Sequence, residues 1–392
     1  MHIHVIPRIL LLCAIAAGPA ALGVDHAAAR QPADLLVTAA HWLDPVSGAL
    51  HGPVVLRISN GRIEKIAAPD RGELTPSAPV RDLGAATLLP GLIDSHVHLG
   101  IGGRPDANAL ADLRAGFTTV VDLGARTDAI LRLRDRINRG ELDGPRIIAA
   151  GKWIGKQGGI CEFGGIGVAG GPDAYAARVR ENVDAGADLI KVCVSTWGAD
   201  AFAHPDAFEI DPAALLATVK EAHRSGRLAI AHAISLGSVK AAIAANVDGL
   251  GHAAYIDRDT AARMHDRGMF MVPTLASLVG DGTDAPSVAL RAAVETAHRE
   301  GVRIVFGTDG GVLPHGENAK EFPAMGKAGV PAIDAIRAAT INAAESFGLA
   351  KEIGQINPGY AADLIAVDGN PLEDLQALSR VTFVMRNGKV IR

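Results

Sequence analysis

Eight short apolar runs recur along the middle of this chain, at residues 89–98, 118–123, 146–150, 188–194, 228–233, 247–252, 269–274 and 303–308. Stretches with helical spacing lie between most of them, among them 174–186, 212–225 and 288–300. Asp211 and Pro212 give the second of these an N-cap and a first helical residue. A strand followed by a helix, repeated eight times, has few folded solutions. It predicts an α/β fold whose parallel strands close into a (β/α)8 TIM-type barrel over residues 89–351. An open doubly wound sheet is the competing arrangement. It requires a glycine fingerprint for phosphate or a switch-point site, and neither is evident.

Five of these runs carry, at or near their ends, a residue type that binds metal. The first closes on His96-Val97-His98. Side chains alternate faces along a strand, so His96 and His98 point the same way and can grip one ion. Lys191, His232, His252 and Asp309 belong to the fourth, fifth, sixth and eighth runs. In a barrel the C-terminal ends of all strands converge on one mouth, so six side chains from five strands are predicted to meet there. The chain supplies its own controls. His223, His265 and His298 each stand just before a glycine at the end of a helical stretch, where an imidazole complements the helix dipole, and are expected to be structural. Four strand-end histidines joined by an aspartate and a lysine point instead to a catalytic metal centre, and imidazole with carboxylate suits zinc.

Lys191 lies inside Ala187-Asp188-Leu189-Ile190-Lys191-Val192-Cys193-Val194, where an uncompensated ammonium is costly and would repel a cation beside it. Burial lowers a lysine's pKa, and the neutral amine can react with CO2 to give a carbamate, an anionic ligand with two oxygens. A buried salt bridge to Asp94 or Asp122 is the competing expectation. Asp309 can hold a metal while its free oxygen moves a proton between water and a leaving group. Its competing reading is a structural turn aspartate.

Outside the middle, residues 30–88 and 352–392 read as short strands, with hairpin signals at Asn60-Gly61 and Asn387-Gly388. They are expected to form one small β-sandwich domain from both chain ends. Residues 1–29 read as a signal peptide, with an apolar run from Ile9 to Val24 and a small-residue cleavage site at Ala27-Ala28-Ala29. That predicts an exported protein, periplasmic or secreted, with no stable membrane association after cleavage. Export leaves Cys161 and Cys193. Cys193 is expected to be a small buried hydrophobe, with a disulfide to Cys161 open to it in an oxidising compartment. Hydrophobic residues make up 48% of the chain, ample for a large core, and a net charge of −5 without any basic block argues against nucleic acid as a partner.

Several segments resemble the amidohydrolase superfamily: Pro90–His98, Ala187–Lys191, Gly307–Val312 with Pro314–Asn318, and in the tail Pro358–Leu364 and Asn370–Asp374. The resemblance runs from about residue 33 to the end. It is closest to the imidazolonepropionase-like branch that includes metal-dependent prolidases and dipeptidases. It implies two divalent metal ions, expected to be zinc, with His96, His98 and Asp309 on the first and His232 and His252 on the second. A carboxylated Lys191 would bridge them together with a hydroxide that attacks the scissile carbonyl, and Asp309 would carry the proton to the amine. The implied substrate is a small molecule, a dipeptide or N-acyl amino acid. A lactam, lactone or other ester on the same centre is the alternative. A homo-oligomer is compatible with the superfamily. The chain departs from the branch in two places. No histidine occurs in the glycine-rich segment Gly158–Gly165, and the loops after the fourth and fifth strands hold Trp197, His204 and Phe208 rather than a tyrosine. Trp197, Tyr255 and His315 are the candidate substrate contacts. A ligand-binding protein on a dead scaffold would be expected to have lost ligands, and all six are present.

Overall fold

Short runs rich in aliphatic residues make the central strands, most of which are buried along their whole length. A computed structural model describes residues 34–69 and 78–392; the leader-like segment 1–29 lies outside them. Eight parallel strands follow one another: β1 (Leu92–Val97), β2 (Phe117–Asp122), β3 (Arg146–Ala149), β4 (Ile190–Cys193), β5 (Ala229–Ala233), β6 (Gly249–His252), β7 (Phe270–Val272) and β8 (Arg303–Ile304). They pair in two ladders, β3-β2-β1 and β4-β5-β6-β7-β8. Both gaps are spanned by backbone bonds. Asp188 N–H to Ala149 O (2.8 Å) and Ile154 N–H to Lys191 O (3.1 Å) join β3 to β4, while Ser95 N–H to Phe306 O (2.9 Å) joins β1 to the segment after β8. The ring is the (β/α)8 arrangement.

The connecting helices begin and end where the sequence marks them. Asp211 caps Pro212–Arg224 by accepting from the Ala213 and Ala214 N–H groups. His223, His265 and His298 all sit in the last turns of helices, ahead of Gly226, Gly268 and Gly301, each of which has positive φ. His223 and His298 also meet carboxylates there, Asp248 at 2.8 Å and Asp334 at 3.1 Å.

The first apolar run is two strands rather than one. Thr87–Pro90 pairs with Leu364–Val367 in a terminal sheet, and only Leu92–Val97 enters the barrel. The handover is at Gly91, where a Cβ would lie 2.1 Å from Thr118 Oγ1, so no larger residue fits without movement. The eighth run likewise makes ladder pairs only at Arg303 and Ile304; beyond them Phe306 N–H bonds to Ala338 O instead.

Two further sheets draw on both ends of the chain. One has four strands in the order Arg62–Ala67, Val54–Ser59, Leu35–Ala39, Val80–Asp82. The other has six, in the order Lys389–Val390, Val381–Arg386, Leu364–Val367, Thr87–Pro90, His41–Asp44, Ala49–His51. Val37, Leu56 and Ile63 pack with Leu364, Phe383 and Met385 in one core between them. Asn60-Gly61 and Asn387-Gly388 form two-residue turns with positive φ at both positions, the twist a tight hairpin needs. Among the described residues, no helix is long and apolar enough to cross a membrane.

Candidate active site

β1, β4, β5 and β6, with the turn after β8, deliver all six predicted metal-site residues to one cavity of about 270 Å³. Asp309 Oδ1 lies 3.2 Å from His98 Nε2 and 3.5 Å from His96 Nε2. His96, His98 and Asp309 offer ligand atoms within 4.8 Å of one another. The His96 ring is 5.1 Å from that of His252, which is 4.6 Å from that of His232. Lys191 Nζ stands 3.3 Å from His96 Nε2. Glycines make room for this crowding. A Cβ on Gly307 would come within 2.9 Å of His96 Cβ, and one on Gly251 within 3.0 Å of His96 Cε1.

In three of the four histidines the second ring nitrogen is occupied. His98 Nδ1 donates to Gly124 O (3.1 Å) and His232 Nε2 to Thr196 O (3.1 Å), while His252 Nδ1 pairs with Thr274 Oγ1 (2.7 Å). Each bond fixes a ring orientation and leaves the other nitrogen facing the cluster. His96 Nδ1 is buried without a partner. Burial, reinforced by Lys191 and the neighbouring histidines, holds His96 well below the usual imidazole range; His252 is held there by burial, with His232 and Lys191 adding to it. His232 falls to about 4, mainly through burial. Neutral imidazole is the form that binds metal.

Lys191 is buried within the histidine cluster, and burial brings its ammonium down to about 7 against the opposing charge of Asp309. Among the described residues it has no salt bridge, and the two aspartates expected as its partners are engaged elsewhere. Asp122 accepts from the Leu99 and Gly124 N–H groups (2.7 and 3.1 Å). Asp94 accepts from Thr308 Oγ1 (2.6 Å), Asn318 Nδ2 (2.8 Å) and the N–H groups of His96 and Thr308 (both 3.1 Å). Asp94 thereby ties β1 to the turn that presents Asp309, although burial raises its carboxyl to about 7.

Three residues of this site hold left-handed backbone without being glycine: His252 (φ 74°), Thr274 (φ 51°) and Asp309 (φ 58°). For a β-branched threonine that conformation costs about 1–3 kcal/mol and persists only where its surroundings require it. The requirement at Thr274 is the bond to His252. Thr274→Val keeps the shape and deletes that bond. It should weaken metal binding by about 10–100-fold in chelator competition, whereas Thr274→Ser should retain most of it. Equal metal affinity in Thr274→Val would remove Thr274 from the site.

Of the three candidate substrate contacts, only Trp197 lines the cavity, stacked on His232 (5.7 Å, 22°) and edge-on to His252 (5.4 Å, 86°). Tyr255 turns instead toward Phe202 (6.0 Å). His315 folds behind the Asp309 turn, its Nδ1 2.9 Å from the buried Asp112 carboxylate. Burial alone would lower His315, but the bond and charge of Asp112 outweigh it and raise its pKa. The Asp112 carboxylate, buried in the helix Pro105–Arg114, thus holds this histidine outside the lining of the cavity. Trp153, Ile160, Phe163 and Val312 complete the cavity wall. They lie on irregular loops, where no periodicity marks an inward-facing side chain. Cys161 and Cys193 also line it, joined as a disulfide with Cα atoms 6.3 Å apart. Cys193 is therefore a cross-link as well as a buried residue, the alternative that an oxidising compartment left open to it.

Residues 87–391 match the amidohydrolase family. The chain belongs to this family. Solved relatives include a Xaa-Pro dipeptidase with bound methionine in the active site, 29% identical with a TM-score of 0.83, covering 92% of this chain and 100% of that one. A putative prolidase from Bifidobacterium longum is 26% identical with a TM-score of 0.82, covering 92% and 95%. Ochratoxinase from Aspergillus niger is 28% identical over 367 residues, 78% of this chain and 75% of that enzyme. The amidohydrolase described here is accordingly a hydrolase with the barrel of the prolidase and dipeptidase branch.

Proposed function

We propose that this amidohydrolase cleaves the amide bond of a small substrate, a dipeptide or N-acyl amino acid, at a centre of two divalent metal ions, zinc by its donor set. One observation carries the reading: six donor residues, including a buried lysine with no salt bridge among the described residues, face a single cavity while the outward nitrogens of three of the histidines are held from behind. The residues fit such ions. His96, His98 and Asp309 would hold one and His232 and His252 the other, with Lys191, as its carbamate, between them. Bound there, the ions supply Lewis acidity that acidifies water and polarises a carbonyl.

The chain's own residues do the rest. Lys191 Nζ, its pKa brought to about 7, attacks CO2 in its neutral form; an N–C bond forms, one proton is released, and a neutral amine becomes an anionic carbamate. Asp309 takes a proton and passes it to the departing amine, so that the amine leaves as a neutral group. Trp153 and Trp197 flank the donor cluster and keep bulk water from it. The leader-like segment and the Cys161–Cys193 bond both suit an oxidising compartment, and we place the enzyme outside the cytoplasm on that basis.

The test is a hydrolysis screen on protein purified with zinc and bicarbonate, with Asp309→Asn as the blank. Dipeptides, N-acyl amino acids, lactams and lactones are run in parallel. Turnover of the first two supports the reading. Turnover confined to lactams or lactones overturns the substrate class, and no turnover at all overturns the activity.

A further inference from the structure

The cavity has two unlike halves. Its floor is the donor cluster, and Lys191 and Asp309 are the only lysine, arginine or acidic residues among those lining it. Its other wall is apolar and hangs on one loop. Phe163 stands at the rim, 40% exposed, with its ring 4.5 Å from that of Trp153, which is in turn 5.4 Å from the His98 ring. The loop is closed at its base by Val168 N–H to Gly155 O (2.8 Å) and braced by Ile160 N–H to Glu209 Oε2 (3.0 Å). Its middle is fastened by the Cys161–Cys193 disulfide to β4, two residues beyond Lys191. The same strand therefore holds the lysine of the donor cluster and the anchor of the apolar wall. The side chains that this wall turns to the cavity, Trp153, Ile160 and Phe163, carry no charge, so an ammonium or carboxylate lodged against them would give up hydration without gaining an ionic partner from them.

We propose that the Cys161–Cys193 tether fixes Ile160 and Phe163 beside Trp153 as a specificity wall, and that this wall takes an uncharged, flat apolar group of the substrate rather than either charged end of a zwitterionic dipeptide. The proposal rests on the amide-hydrolase reading for its use of the word substrate, but the binding it predicts is measurable without catalysis.

The experiment is isothermal titration calorimetry of the zinc-loaded full chain with 2-naphthamide, flat and neutral, and with glycinamide, which carries an ammonium. The same titrations are made on Phe163→Ala, on the Cys161→Ser/Cys193→Ser pair and on wild type treated with dithiothreitol. Bound zinc is measured in each. 2-Naphthamide should bind wild type, and Phe163→Ala should weaken it about tenfold, the order expected for losing one aromatic contact. The double variant and the reduced wild type should show a similar loss with zinc content unchanged. Unchanged naphthamide affinity in Phe163→Ala, or glycinamide binding as tightly as naphthamide, overturns the wall. Unchanged affinity after reduction overturns the tether. Should the double variant not fold, the reduced wild type decides that arm. Hydrolysis of N-naphthoylglycine and of glycylglycine separates this inference from the activity. Phe163-dependent binding with no turnover of any amide leaves the wall standing and removes the activity. Turnover of glycylglycine that Phe163→Ala does not alter, at a rate matching N-naphthoylglycine, keeps the activity and removes the wall.

Discussion

Asp309→Asn should lower kcat for amide hydrolysis by about 10³-fold, the scale of losing a positioned proton carrier, without unfolding the protein. Asparagine is the informative substitution because Asp309 sits at φ 58°, a left-handed conformation that asparagine tolerates as readily as aspartate. The turn is also held by backbone groups that the change leaves alone, Val312 and Leu313 N–H both reaching Asp309 O (2.9 and 3.2 Å). What changes is the end of the side chain. Oδ1, placed 3.2 Å from His98 Nε2, loses its negative charge, and one carboxylate oxygen becomes an NH2 that cannot accept a proton. The measurement is kcat and KM with zinc content and melting temperature determined on the same preparation. Full activity with full zinc would exclude Asp309 from proton transfer. Lost activity accompanied by lost zinc would show a ligand role without resolving a proton role, which the pH profile of the residual rate then addresses.

How much of this was legible beforehand depended on sequence distance. His96 and His98 declare themselves because two residues of one strand share a face, and the strand-end positions of His232, His252 and Asp309 follow from barrel geometry. Lys191 was visible as a charge in an apolar run. What escaped was set by partners far along the chain. Thr118 forces Gly91 to be glycine, which splits the first run, and Asp112 captures His315 from more than two hundred residues away. Thr274 ends β7 at a position equivalent to the ligands, so its place could have been suspected, but its hydroxyl was not a donor type sought for metal. Trp153 and Phe163 had no signal at all, since loops lack the period that distinguishes inside from outside. The eightfold strand–helix repeat supplied the barrel and the resemblance the pairing of ligands with metals, while the composition of the pocket wall comes only from the folded chain.

Lys191→Met should abolish binuclear metal binding and reduce hydrolysis to the level of the blank, yet make the metal-free protein more stable. The two effects have one cause. Methionine fills the lysine's space with an apolar chain that has neither an amine for CO2 nor a charge to desolvate. In metal-free wild type, burial lowers the lysine from 10.5 to about 7. Between those values the unfolded chain holds a proton that the folded chain lacks, so wild-type stability rises with pH through this window and is lowest, for this group, at and below about 7. The variant's advantage should therefore be greatest near pH 7, on the order of 5 °C in melting temperature, and should shrink as pH approaches 10.5. The neutral amine also sets a second sign. At fixed dissolved CO2, reconstitution of chelator-treated wild type with zinc should improve as pH rises through about 7, because only the unprotonated lysine can form the carbamate. The variant should show neither CO2 nor pH dependence in this range. Retention of two ions and full activity in Lys191→Met would overturn the bridging role, whatever the stability showed. A metal-free variant no more stable than wild type at pH 7 would instead mean that Lys191 finds a partner for its charge in solution, and that its burial is less complete than the folded cavity indicates.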